Sequence, residues 1–271
     1  MSDRLEDSMG EQPYPLGASG SADLASVTDD HLMRLFQTAP IIYNINVSKV
    51  VRISEHLVLK GGACLTQWEA ENQKFAASQG FPVPTVHRMF RGPLENHLEF
   101  DMRDEVVTQV AKWIDDMQSK PFNKIQPGPV GGTGDSPWDG PWFTDYGAGP
   151  FANLEEMEDW YNHKLDVCHR LRQAFEDIPR FQFEDLVLTH QDIAPRNIVL
   201  DEATDKLWLI DWAMSGIYPV GFEQASLSRQ CVDEWDVEFR EAVLAKLGKR
   251  CDREIRQLQG IMYGLTTGAF L

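Results

Sequence analysis

Thr189-His190-Gln191-Asp192-Ile193-Ala194-Pro195-Arg196-Asn197, followed by Leu207-Trp208-Leu209-Ile210-Asp211-Trp212, is the stretch on which the reading of this chain turns. It sets a carboxylate, an amide and a second carboxylate in the order that a phosphate-handling site needs. Asp192 follows the apolar run Leu186-Val187-Leu188, where it can accept a proton from a substrate hydroxyl. Asn197 lies five positions further on, so one tight loop can turn its amide oxygen towards a divalent cation. Asp211 ends a second apolar run and can offer an anionic oxygen to the same ion. The plain alternative is an ordinary hairpin with a capping Asp and a turn Asn, since both residues favour turns. Against it stands the surrounding order of strand, loop, short strand (Ile198-Val199-Leu200), turn (Asp201 to Lys206) and strand.

The H-x-D-x-x-x-x-N spacing, with an Asp after the next apolar strand, is the catalytic-loop pattern of kinases. On these residues the chain resembles the aminoglycoside phosphotransferase-like kinases, in particular the fungal branch with H-x-D-x-x-P-R-N and I-D-W motifs. The resemblance implies an α+β, bilobal, protein-kinase-like fold. A small antiparallel-sheet N-lobe with one helix would bind nucleotide, and a larger, mainly helical C-lobe would carry catalysis and acceptor binding. It also implies ATP and magnesium as cofactors, Asp192 as the catalytic carboxylate, and Asn197 and Asp211 as metal ligands. Lys60 of Val58-Leu59-Lys60 would contact nucleotide phosphates, steadied by Glu69 of Glu69-Ala70-Glu71. Glu69 is preferred to Glu71 because the motif begins at the Glu preceding Ala. His190 is expected to be structural, and Arg196 to brace the loop through an acidic partner.

The chain departs from eukaryotic protein kinases at telling places. Gln191 stands where they carry the Arg that reads a phosphorylated activation loop, Asp211-Trp212-Ala213 replaces Asp-Phe-Gly, and no Ala-Pro-Glu follows. The expected acceptor is therefore a hydroxyl on a small molecule. Two further departures concern the nucleotide pocket. Ile41 to Asn46 occupies the place of a glycine loop without containing glycine, and Leu98 to Met102 is a shortened hinge. They motivate a rival reading, a non-catalytic pseudokinase serving as a binding or scaffold module.

The formal charge of −17, from 42 acidic and 25 basic residues, repels nucleic acid and anionic lipid, so neither is an expected partner. No apolar run is long enough to span a bilayer, and the N-terminus lacks the basic-then-apolar order of a signal peptide. Cys64, Cys168, Cys231 and Cys251 are scattered without metal-ligand spacing. A reduced, cytoplasmic protein is expected. The oligomeric state is left open.

Along the chain, residues 1–28 read as a disordered tail, 29–102 as the N-lobe and 103–271 as the C-lobe. A short helix starts at Asp29-Asp30, buries Leu32, Leu35 and Phe36, and stops at Pro40. A hairpin of Lys49 to Ile53 with Leu57 to Lys60 follows, then a helix from Thr66 to Ser78 and a third strand, Thr85 to Phe90. Val106, Val107, Val110, Trp113, Ile114 and Met117 recur at helical spacing. From Lys120 to Pro150 runs a Gly- and Pro-rich segment whose Trp138, Trp142 and Tyr146 either lid the acceptor site or anchor the segment to the lobe. A helix is expected from Leu154 to Glu176, with Leu171 and Phe175 on its apolar stripe, and two more over Asp233 to Leu247 and Arg250 to Leu258. Tyr218-Pro219 and Glu223 resemble the family stretch that borders the acceptor site.

Overall fold

A computed structural model describes residues 15–16, 24, 26–45, 48–62, 67–89, 104–131, 137–201, 206–229 and 234–271. They fall into two units, described residues 15–62 in the first and 67–271 in the second.

In the first unit, helix α1 (Asp29–Thr38) begins where Thr28 accepts a hydrogen bond from the His31 N–H, with Asp29 and Asp30 favourably placed at the positive end of the helix dipole. Its apolar face, Leu32, Leu35 and Phe36, packs with Val51, Ile53 and Leu57. Ahead of Pro40, Ala39 is extended, as the residue before a proline must be, and the helix ends. Strands β1 (Ile41–Ile45), β2 (Ser48–Arg52) and β3 (Val58–Gly62) form an antiparallel sheet in that order. The stretch standing in place of a glycine loop is thus an edge strand, β1. Within the expected tail, the Leu16 N–H donates to the Ile53 carbonyl at 2.9 Å, and Leu16, Leu24 and Val27 pack on this core.

The second unit contains helix α2 (Gln67–Ser78), which the N-lobe was expected to hold. The reason is packing. Ala76, Phe81 and Val83 share a core with helix α3 (Asp104–Gln118) and with Leu188, Ile198, Leu209 and Trp212. The expected third strand is also absent: residues 81–89 have no regular structure, and Phe90 lies outside the described residues. Pro82 and Pro84 lack the N–H that a ladder needs, and the segment bonds through their carbonyls: Pro82 accepts from the Leu209 N–H at 3.1 Å and Pro84 from Gln73 Nε2 at 2.5 Å. The shortened hinge at Leu98 to Met102 likewise lies outside the described residues.

Helix α3 buries the stripe that its spacing predicts. Helix α4 (Leu154–Arg170), capped by Asn153, stops earlier than expected. The chain turns at Arg172, whose φ is 55°, so Phe175 is exposed rather than part of the stripe. Strand β4 (Leu186–Thr189) pairs antiparallel with β7 (Gly216–Pro219), and β5 (Ile198–Asp201) with β6 (Lys206–Leu209). Helices α5 (Phe222–Arg229), α6 (Glu234–Lys246), α7 (Asp252–Gly260) and α8 (Met262–Leu265) complete the unit. Successive residues of β7 point to opposite faces, so Ile217 enters the core beneath α3 while Tyr218 joins an aromatic core on α4. No helix among the described residues is long and apolar enough to cross a membrane.

Candidate active site

Two strand pairs bring the motif residues together. All four residues of β4 are buried, and β4 delivers His190 beside β7 through the pairing Thr189↔Gly216. A single 3-10 turn, Pro195–Asn197, feeds β5, whose first residue, Ile198, faces Leu209 of β6. The ladder continues one step further, because the Ile210 N–H donates to the Asn197 carbonyl at 2.9 Å. Asn197 and the start of Asp211 are therefore neighbours across the hairpin. Gln191 (φ 63°) and Asp211 (φ 64°) both occupy the left-handed region, which side chains other than glycine visit rarely. Such backbone strain concentrates at functional positions and persists only where the surroundings enforce it.

The surroundings do so with buried polar groups. Both oxygens of the Asp192 carboxylate are held: Oδ1 accepts from Arg196, and Oδ2 accepts from Asn197 Nδ2 at 2.8 Å. Arg196 thus braces the loop through Asp192 itself. Asn197 Nδ2 also donates to the Asp192 carbonyl at 2.7 Å, so both bonds use the amide nitrogen and leave the amide oxygen as the end suited to a cation. His190 is structural, as expected. Its Nδ1 accepts from the Asp192 N–H at 3.2 Å, which puts the proton on Nε2, and Nε2 donates to the Ile210 carbonyl at 2.8 Å. One imidazole thereby spans the catalytic loop and the residue preceding Asp211, with its ring edge-on to Trp212.

Glu223, on the first turn of α5, accepts the backbone N–H groups of both His190 and Gln191. It is fully buried, and burial pushes its carboxyl up from the ordinary 4.5 to about 7; the two backbone donors pull the other way, and the nearby Asp192 carboxylate adds to the rise. Its resemblance to a family position marked it in the sequence, but nothing there indicated a bond to the catalytic loop. Asn72 escaped the sequence reading altogether. Buried on α2, it donates to the Trp212 and Ser215 carbonyls at 3.2 and 2.7 Å.

Gln191 and Asp192 open onto a cavity of about 420 Å³ that Asp139, Asp145, Arg229 and Met262 also line. The aromatic segment contributes less mobile material than a lid requires. Trp142 is fully buried, with its indole N–H donating to Ser226 Oγ at 2.8 Å, and Trp138 is buried against Phe151 and Tyr218. They are anchors. Tyr146 is exposed, resting on Phe270 with ring centroids 4.3 Å apart.

Lys60 lies on β3 of the first unit, opposite Val50 of β2. Glu69 is buried on α2 of the second unit, whereas Glu71 pairs with Lys74 at 2.8 Å. The motif-based preference for Glu69 thus falls on the enclosed carboxylate. Among the described residues no group of three or more His, Cys, Asp or Glu is arranged to hold a metal. The Asp211 carboxylate and the Asn197 amide oxygen would nonetheless suit magnesium, a hard cation that takes oxygen ligands and keeps several waters.

Three comparisons place this architecture. The chain is similar in structure to an aminoglycoside phosphotransferase, APH(2")-IIa, solved as a streptomycin–ATP ternary complex, with a TM-score of 0.50, 13% identity, and 85% of this chain and 84% of that one covered. It also matches the spectinomycin phosphotransferase APH(9)-Ia in complex with ADP and spectinomycin (TM-score 0.47, 12% identity, 86% and 84% covered) and the choline kinase LicA of Streptococcus pneumoniae (0.43, 13%, 85% and 84%). No curated protein matches by sequence. The model of the APH phosphotransferase enzyme family matches residues 50–260, which include the candidate site. The α+β fold is accordingly kinase-like, and the chain belongs to the phosphotransferase enzyme family.

Proposed function

We propose that the protein transfers the terminal phosphoryl group of ATP to a hydroxyl of a small molecule bound in the cavity beside Asp192. The observation that carries this reading is the Asp192 carboxylate, pinned at both oxygens and opening onto a cavity of about 420 Å³. Asp192 orients the acceptor hydroxyl and takes its proton as the oxygen bonds to the γ-phosphorus. The bond from phosphorus to the bridging oxygen breaks, and ADP leaves. Asn197 and Asp211 would hold magnesium, which would supply positive charge to offset the negative charge that develops during transfer. Lys60 contacts the nucleotide phosphates and Glu69 steadies it. Little covalent chemistry falls to the protein in this reaction class, so the rate depends on positioning and preorganised charge.

The test is ATP consumption across a panel of hydroxyl-bearing metabolites. Asp192→Asn is expected to keep nucleotide binding and lower turnover by about two to four decades, the usual range for a positioned acid–base group. Asp211→Ala is expected to abolish magnesium-dependent ATP binding. Full activity in both variants overturns the role assignment. The glycine-free β1 strand favours the rival reading of a non-catalytic binding module. A thermal-shift titration separates the two: Mg-ATP at a hundred times its Kd stabilises a binder by about 2.7 kcal/mol, and a module without the site does not respond.

A further inference from the structure

Helix α2 carries two buried polar residues one turn apart, Glu69 and Asn72, so they share a face. Every hydrogen-bonding direction needed to clamp the helix is used at Asn72. Nδ2 donates to the Trp212 carbonyl at 3.2 Å and to the Ser215 carbonyl at 2.7 Å, and Oδ1 accepts from the Val130 N–H at 2.9 Å. Both receiving elements are themselves tied to the catalytic strands. The Ser215 N–H closes a turn onto the Trp212 carbonyl at 3.2 Å, and its hydroxyl donates to the His190 carbonyl at 3.1 Å. Two residues before Val130, Gly128 exchanges paired hydrogen bonds of 2.8 Å with Ile217 of β7. The next residue, Gly131, sits at φ 73° with no room for a side chain, since an added Cβ would stand 2.9 Å from Glu71 Cγ. The helix is therefore seated on the turn after Asp211 and on the loop beside β7.

We propose that Asn72 is a positioning residue that locks the Glu69 helix to the turn following Asp211, so that these two carboxylates are held as one rigid assembly instead of on separately moving elements. The inference rests on the reading of Glu69 and Asp211 as nucleotide- and metal-handling groups. Asparagine suits the task because it offers two donors and an acceptor at the end of a short side chain. An aspartate retains the acceptor but sets a carboxylate against two carbonyls. An alanine removes all three bonds at once and takes from the Ser215 carbonyl and the Val130 N–H the Asn72 partner they have here.

The experiment compares Asn72→Ala and Asn72→Asp with Val243→Ala, a core truncation in α6 chosen to lower stability without touching the site. Amide hydrogen exchange of the ligand-free proteins is followed alongside calorimetric titration with Mg-ATP. Both Asn72 variants are expected to exchange at least tenfold faster through α2 and residues 213–216, and to raise the Kd for Mg-ATP at least tenfold. Val243→Ala leaves the Kd within about twofold and speeds exchange across the unit without singling out α2 and 213–216. Unchanged exchange in α2 and in 213–216 overturns the clamp. Faster exchange with an unchanged Kd overturns its role in placing the carboxylates. If the wild-type protein binds no Mg-ATP, the nucleotide reading fails while the exchange comparison still decides whether Asn72 couples helix and turn.

Discussion

The catalytic loop and the aromatic segment 137–151 both border the cavity, yet they are held by opposite means. The loop sends Ile193 into the apolar core but is oriented by buried polar partners: Glu223 on its N–H groups, Ser215 on its His190 carbonyl, and His190 spanning to Ile210. The aromatic segment is held by ring packing, with Trp138, Phe143 and Phe151 edge-on or tilted against one another and against Tyr218 and Trp160. Hydrogen bonds are directional, so they fix where a carboxylate points. Ring packing is broad and non-directional, so it fixes the shape and depth of a wall. The chain assigns accuracy to the first region and bulk stability to the second.

That contrast breaks most visibly at Trp142. Trp142→Ala removes a fully buried indole and its bond to Ser226, and is expected to cost about 3–5 kcal/mol of unfolding free energy in chemical denaturation. Activity at a temperature where the variant is folded should fall far less than it does in Asp192→Asn. Equal losses in both readouts would erase the distinction between wall and loop.

Glu223 tests the loop through pH. Its carboxyl titrates higher in the folded chain, at about 7, than the ordinary 4.5. The folded state therefore holds the proton more tightly, so this contribution is fully present below about pH 4.5 and disappears as pH rises through 7. The difference corresponds to about 3 kcal/mol. Glu223→Gln cannot titrate, so the stability of the wild type relative to this variant should decline by roughly that amount between pH 4 and 8. A pH-independent difference between the two would show that Glu223 titrates normally. His190→Ala removes the acceptor that the Asp192 N–H has in His190 Nδ1 and the donor that the Ile210 carbonyl has in Nε2, for an expected loss of about 1–3 kcal/mol. Turnover should fall with it, because the bridge from the loop to Asp211 goes as well. The smallest effect has the opposite sign. The buried Tyr218 hydroxyl has no hydrogen-bond partner among the described residues, so Tyr218→Phe should raise stability by about 1 kcal/mol in a melting experiment.

Much of the second unit is legible in the linear order of residues. The stripe of α3 follows from helical spacing, and the β5–β6 hairpin from two apolar runs around a turn. The triad of Asp192, Asn197 and Asp211 lies within one loop and the hairpin that follows it. The failures share a cause. Thr85 to Phe90 looks like a strand by composition, but residues 85–89 find no partner strand among the described residues. Phe175 continues the helical period of α4, but the backbone has already turned at Arg172. Both mistakes extend a local pattern past the point where the folded chain supports it.

Residue type and spacing alone determined the order of the motif residues and the amphipathic helices, and carried the resemblance to the family, because those features repeat over a few positions and need no partner from elsewhere. The clamps were settled by packing. Glu223 reaches a backbone N–H 33 positions away and Asn72 a carbonyl 143 positions away, and no periodicity in a chain encodes such meetings. Whether Trp138 and Trp142 were lid or anchor, and to which unit α2 belonged, turned on the same point: burial is a property of what surrounds a side chain once the elements have come together.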